Sequence, residues 1–324
     1  MKILVLGGTY FVGRHFVEAA LTRGHGVTLL NRGRRNAHLF PDIEKLRGDR
    51  DGDLSALKGR SFDAVFDPSG YKPEQALAVL DALGGSVPHY TFISSISAYG
   101  RFHPGRAYDE DLPLAGGHEA YGPLKARCEE ALEAALPGRV AHVRPGLIVG
   151  PYDPTDRFTY WPRRISQGGR VLAPGRPERP IQFLDARDLA RWCVQLAEQG
   201  RTGRFNAVGP GSTLTMGAFL NACRSAVQSD ARLTWLPDEE LIAEGVKPWT
   251  EMPLWIPEAD PDHGGMLLGS NRAAVAAGLT FLPETDTFLA TRNWDAQETE
   301  PQDASPLRVV PITRAREAAI LEKL

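Results

Sequence analysis

The sequence predicts an α/β protein built on a doubly wound parallel sheet, with a smaller C-terminal region of different pattern beside it. Three observations carry this. An apolar run at the N-terminus, Ile3-Leu4-Val5-Leu6, meets a glycine turn and then a helical pattern. Strand-length and helix-length apolar segments alternate up to about residue 150, which is the pattern of successive βαβ units. Past Pro151 the alternation breaks: residues 151–180 are rich in Pro, Gly, Arg and aromatics, and residues 232–265 hold five prolines and three of the six tryptophans.

The elements follow in order. After the first strand and the turn Gly7-Gly8-Thr9-Tyr10-Phe11-Val12-Gly13, a helix places Phe11, Val12, Phe16, Ala19, Ala20 and Leu21 toward one side. Gly24-His25-Gly26 ends it, and Val27–Leu30 is the second strand. A glycine turn that follows a strand, opens a helix and returns to a strand is a dinucleotide signature. The free N–H groups and positive dipole end of the helix suit a pyrophosphate. Gly7, Thr9, Tyr10, Phe11, Val12 and Gly13 are therefore the candidate contacts. Phe62–Asp67 reads as the fourth strand, Pro73–Leu83 as a helix, Tyr90–Ile93 as the next strand, Ala120–Ala135 as a helix and Val140–Arg144 as a further strand. Pro123 is tolerable in the first turn of its helix, where its missing N–H has no partner to lose, and this places the helix start near Tyr121.

Cofactor choice turns on the end of the second strand, Leu30-Asn31-Arg32-Gly33-Arg34-Arg35. An acidic residue there would bind the ribose 2′-hydroxyl of NAD. None is present, and a guanidinium matches a 2′-phosphate by its fork geometry. Asn31 and Arg32 thus favour NADP over NAD, with a solvated basic loop as the alternative. Asp49 and Arg50, in Gly48-Asp49-Arg50, would flank the adenine.

The chemistry rests on Tyr121-Gly122-Pro123-Leu124-Lys125 and on the hydroxyls of Ser94-Ser95-Ile96-Ser97. Four residues apart on a helix, Tyr121 and Lys125 share a face. A phenol with a pKa near ~10 is a poor base at neutral pH, and a neighbouring cation pulls it toward the working range. Ser95, at the end of an apolar strand, could hold a substrate oxygen while Tyr121 moves its proton.

Taken together these motifs resemble the extended short-chain dehydrogenase/reductases, also called the NAD-dependent epimerase/dehydratase family. The resemblance rests on the turn from Gly7 to Gly13, Gly48-Asp49, Ser95 with Tyr99-Gly100, Tyr121 with Lys125, Arg144-Pro145 with Gly150-Pro151, and Phe205-Asn206-Ala207-Val208-Gly209. It covers about residues 1–295. It implies a Rossmann-type sheet domain over 1–150 plus about 181–209, and a substrate-binding domain over 151–180 plus 210–295. Residues 296–312 read as a linker before a terminal helix with Ala315, Ala318, Ala319 and Leu321 or Ile320 on one side. It implies a homodimer paired through the helices Pro73–Leu83 and Ala120–Ala135. It also implies catalytic roles for Ser95, Tyr121 and Lys125, with Lys125 holding the cofactor ribose.

Three departures bear on the substrate. Tyr10 stands where the family has its middle glycine, and the pattern Gly-Gly-Thr-x-Phe-x-Gly-Arg is similar to a branch that includes chloroplast stem-loop-binding proteins. Ile96 and Ser97 replace the Asp-Glu pair of sugar-nucleotide 4,6-dehydratases, which argues against that elimination. Ile181 stands at a position where the family often has a phosphate-binding Arg; Arg176 and Arg179 lie nearby. Substrate candidates are Tyr71, after the fourth strand, then Arg157, Tyr160 and Trp161, and Arg179. Asp109-Glu110-Asp111 reads as a solvated run, and no His or Cys has metal-ligand spacing.

Composition agrees with a cytoplasmic enzyme. The 324 residues carry a net charge of −3, so there is no global basic footprint for nucleic acid. No apolar stretch reaches the ~18 residues of a membrane span. Three widely spaced cysteines suggest reduced, buried thiols. The function expected is an NAD(P)-dependent oxidoreductase or epimerase acting on a secondary alcohol or ketone, including that of a sugar or sugar nucleotide. The alternative is a cofactor-retaining protein that has drifted toward RNA binding or a scaffold role.

Overall fold

The computed structural model describes residues 1–297 and 307–324. In chain order the central elements are β1 (Lys2–Leu6), α1 (Phe11–Thr22), β2 (Gly26–Asn31), β3 (Glu44–Arg47), β4 (Ala64–Asp67), α2 (Pro73–Ala82), β5 (His89–Ile93), α3 (Tyr121–Ala135) and β6 (Val140–Pro145). They continue with α4 (Tyr160–Ser166), α5 (Ala186–Glu198), a last sheet strand at Gly203–Ala207, and α6 (Met216–Ala226). One seven-stranded sheet runs Gly203–Ala207, β6, β5, β4, β1, β2, β3, and every neighbouring pair is parallel. Ile3 sits opposite Val27 on one side and Ala64 on the other. The chain order reverses between β1 and β4. That switch point opens a crevice at the carboxyl ends of the strands, where ligands bind in such sheets.

Both faces of the sheet are covered, which is why β4, β5 and β6 are buried throughout. On one face, α1 and α5 pack with Phe16 stacked on Phe66, ring centroids 3.5 Å apart. On the other, α2 and α3 close over Leu4, Leu6, Val65 and Phe92. The buried stripe of α1 is Gly13, Phe16, Val17 and Ala20, at i, i+3, i+4 and i+7, together with His15. Leu21, expected on the packed side, lies a further step round the helix and is exposed.

A separate apolar core draws on residues 147–183 and 214–321, with Phe158, Trp161, Phe183, Phe219 and Trp255 at its centre. A parallel two-stranded ribbon, Arg170–Pro174 with Arg232–Leu236, crosses it. The terminal helix, Arg314–Leu321, docks on this core through Glu317, Ile320 and Leu321. Ala315, Ala318 and Ala319, expected on its packed side, are exposed. The face turns because Glu317 is buried as an ion pair. Its carboxylate accepts from Arg164 Nε at 3.0 and 2.8 Å and from the Leu172 N–H at 3.0 Å.

The expected linker at 296–312 falls largely outside the described residues. Its described ends are ordered against the protein. Residues 296 and 297 close the helix Glu284–Gln297, and the backbone N–H groups of Val309 and Ile312 donate to Thr155 O at 2.9 Å and Glu251 O at 2.8 Å. No helix among the described residues is long and apolar enough to cross a membrane.

Candidate active site

The crevice at the switch point is a cleft of about 560 Å³. Its floor is the turn between β1 and α1. Gly7 and Gly8 have φ of +112° and +87°, a region closed to most side chains. A Cβ on Gly13 would lie 2.9 Å from Gly8 N, so the helix starts hard against the turn. The N-cap residue of α1, Tyr10, makes no side-chain cap, and the first turn carries no acid. That cradle and those uncapped N–H groups fit the pyrophosphate of a dinucleotide. Gly7, Tyr10, Phe11, Val12 and Gly13 all line the cleft. Thr9 does not: it is buried, and its hydroxyl donates to Arg35 O at 2.9 Å.

The residues beyond β2 and β3 divide. Asn31 is occupied in holding the turn, with Nδ2 donating to Gly7 O at 3.2 Å and Oδ1 accepting from the Gly33 N–H at 2.9 Å. Arg32 points into solvent, 4.0 Å from Asp49. Arg50 turns inward instead of facing an adenine. Its guanidinium donates to Asp67 at 3.0 and 2.8 Å and to Ser69 Oγ at 2.7 Å. Asp67 is fully buried at the end of β4 and needs that partner. Arg35, not singled out in the sequence, lies over the Tyr10 ring, 4.7 Å from its centroid.

Ser95, Tyr121 and Lys125 converge on the cleft wall. Ser95 follows β5 and caps the short turn Ile96–Ala98, its Oγ accepting from the Ser97 N–H at 3.0 Å. Tyr121 is the first residue of α3 and Lys125 lies one turn on. Gly122 lets the two segments meet, since a Cβ there would lie 1.9 Å from Ser97 O. Lys125 is buried, and its Nζ donates to Gly70 O and Ile93 O, both at 2.7 Å. Burial lowers the Lys125 pKa to about 8, against the pull of Asp67.

The phenol of Tyr121 behaves differently from the sequence expectation. Partial loss of water raises it to about 12, although the residue keeps 48% of its surface open to the cleft, and Tyr71 adds to the rise. Ser95 and Arg157 are the groups that work the other way. Lys125 is not among them: its ammonium is anchored by two carbonyls, 5.8 Å from the Tyr121 ring centroid. Of the substrate candidates, Tyr71 and Arg157 line the cleft. Tyr160 and Trp161 lie inside the C-terminal core, with Trp161 Nε1 donating to Pro253 O at 3.0 Å. Arg179 is buried beside Asp238 and Ile256, in a different hollow.

A buried polar network behind the site was not legible as such. Arg144 of β6 pairs with Glu129 of α3, at 2.6 Å for its shortest contact, and donates to Tyr99 Oη at 2.9 Å. Tyr99 donates in turn to Asn206 Oδ1 at 2.6 Å, and Ser94 donates to Glu129 at 2.5 Å. Glu110, read as part of a solvated run, accepts from the Asn206 N–H at 2.7 Å. The network bolts α3 to the ends of β5, β6 and the edge strand. Its only sequence trace is the separate motifs that contain Tyr99, Arg144 and Asn206.

Comparison with known proteins agrees with this geometry. Residues 74–209 match the model of the NAD dependent epimerase/dehydratase family. A chloroplast stem-loop binding protein of 41 kDa from Arabidopsis thaliana is 27% identical over 249 residues, 69% of this chain; the match spans 63% of that relative's length. The solved UDP-glucuronic acid 4-epimerase of Bacillus cereus, in complex with NAD, superposes with a TM-score of 0.65 at 17% identity, over 94% of this chain and 99% of that one. Human epimerase family protein SDR39U1, solved with NADPH, gives 0.62 at 22% identity, over 92% and 100%. With the seven-stranded parallel sheet and the glycine turn at its switch point, these matches show a Rossmann-type fold in which residues 74–209 are similar to the NAD-dependent epimerase/dehydratase family.

Proposed function

We propose that the protein is an oxidoreductase or epimerase that interconverts a secondary alcohol and a ketone, with Tyr121 as the acid/base. The observation that carries this is the meeting of Ser95, Tyr121 and Lys125 on the wall of a cleft whose floor is the glycine turn. The nicotinamide supplies a hydride acceptor or donor when bound. The turn from Gly7 to Gly13 would hold the pyrophosphate and Arg32 the 2′-phosphate of NADP. Ser95 would hold the reacting oxygen by its hydroxyl. Tyr121 would take the hydroxyl proton as the alcohol is oxidised, or return it as the ketone is reduced. An ammonium has three protons, and two of those on Lys125 go to Gly70 O and Ile93 O. The third would serve the phenol or the cofactor ribose.

The test is Tyr121→Phe. The variant should fold and bind cofactor as the wild type does, yet lose roughly 10²- to 10⁴-fold in hydride exchange between cofactor and ketones. Ser95→Ala should lose less, because it removes orientation and leaves the proton. Wild-type exchange in Tyr121→Phe would refute the assignment. The similarity to a stem-loop binding protein favours a second reading, an RNA-binding role. Salt-dependent binding of a stem-loop RNA by protein that lacks hydride exchange would support it.

A further inference from the structure

The cleft that Ser95 and Tyr121 line is lined also by Trp249, Met266 and Leu307, and Arg157 is a charged side chain among these apolar groups. A sugar would need a ring of donors and acceptors there. Arg157 Nε is buried with no hydrogen-bond partner, and its guanidinium makes no ion pair among the described residues. Asp153, and after it Tyr121, are the groups that favour its cation. Burial lowers its pKa, and Asp153 opposes that fall from a distance without pairing with it.

The loop that carries Arg157 is held in place. Tyr152 and Asp156 have φ of +70° and +60°, which non-glycine residues adopt only when their surroundings impose it. Those surroundings are visible. Arg14 lies over the Tyr152 ring at 3.6 Å, and His15 Nε2 contacts Pro151 O at 3.0 Å. Asp156 pairs with both Arg163 and Arg308, and Val309 N–H donates to Thr155 O. A rigid loop that delivers one unpaired cation to an apolar wall is built for recognition.

We propose that Arg157 is an anion receptor, and that the substrate is an apolar secondary alcohol or ketone bearing a carboxylate. One unit of charge in an apolar wall matches a monoanion. A phosphate dianion would call for a second basic side chain, and Lys125 is already committed to backbone carbonyls. The inference rests on the function proposed above, since it names that site's substrate class.

The test is a calorimetric titration of octanoate, and of octanol as its uncharged counterpart, into protein with and without saturating NADPH. Wild type should bind octanoate at least tenfold more tightly than octanol. Arg157→Met should weaken octanoate by about 10- to 100-fold and leave octanol unchanged. Arg157→Lys should recover part of the loss, which separates charge from folding. Equal binding of octanoate and octanol by the wild type would overturn the proposal. So would an Arg157→Met variant that binds octanoate normally but NADPH weakly, because the anion would then belong to the cofactor. Failure to bind NADPH would count against the proposed function alone, since octanoate is also titrated without it.

Discussion

The carbonyl oxygen of Ser97 lies 1.9 Å from the point where a Cβ on Gly122 would begin. That contact is backbone against backbone, so neither side can yield by changing a rotamer. It seats the start of α3 on the turn Ile96–Ala98, and so brings Tyr121 beside Ser95. Gly122→Ala should therefore push the two segments apart. The expected outcome is a lower melting temperature and loss of hydride exchange beyond that of Ser95→Ala. A Gly122→Ala protein with wild-type melting and exchange would show that the close approach does not matter.

Asp153 gives a pH dependence with a definite sign. It is buried, one oxygen accepts from the Thr155 N–H at 2.9 Å, and the other has no partner among the described residues. Burial raises its pKa from the ordinary carboxylate range to about 7. Between pH ~4 and 7 the folded protein then holds a proton that the unfolded chain has released, so this group costs stability as pH rises. Asp153→Asn removes the cost and keeps the acceptor. The stability gain of the variant over wild type, followed by melting at each pH, should be near zero at pH 4 and grow toward pH 7, on the order of a few kcal/mol at most. A gain that is flat with pH would contradict the burial argument.

Cofactor preference should be readable at Arg32. The side chain extends from the end of β2 into solvent, with Asp49 at 4.0 Å as its only charged neighbour among the ion pairs described. NADP should bind more tightly than NAD. Arg32→Ala should weaken NADP by about 10- to 100-fold and leave NAD nearly unchanged. Calorimetry showing NAD preferred by the wild type would reverse this assignment.

A homodimer is expected through α2 and α3. Within one chain these helices pack on each other and on the sheet, and Leu77, Ala78 and Leu83 remain only partly covered. A helix that is apolar on more than one side needs more than one covering surface. Light scattering at micromolar concentration should give twice the chain mass; a monomer mass would leave those helices to other partners.

The sequence by itself determined the sheet, the crevice and most of the cleft floor. Periodicity and the glycine turn act over a few residues, so β1, α1 and β2 are legible locally, and the switch point follows from their order. Tyr121 and Lys125 were legible because four residues on a helix fix a shared face. Tertiary structure decided what each polar group was free to do. Arg50 turned inward because distant Asp67 is buried and needs a cation, and Asn31 was taken up by the glycine turn. Tyr160 and Trp161 went to the C-terminal core, while Arg157, just before them in the chain, reached the cleft. Lys125 was drawn to the carbonyls of Gly70 and Ile93, so Ser95 and Arg157 became the groups that lower the Tyr121 pKa. Glu129, Arg144, Tyr99 and Asn206 met only because α3, β5, β6 and the edge strand converge. Burial and pairing depend on what the rest of the chain brings near, and spacing along the sequence does not carry that information.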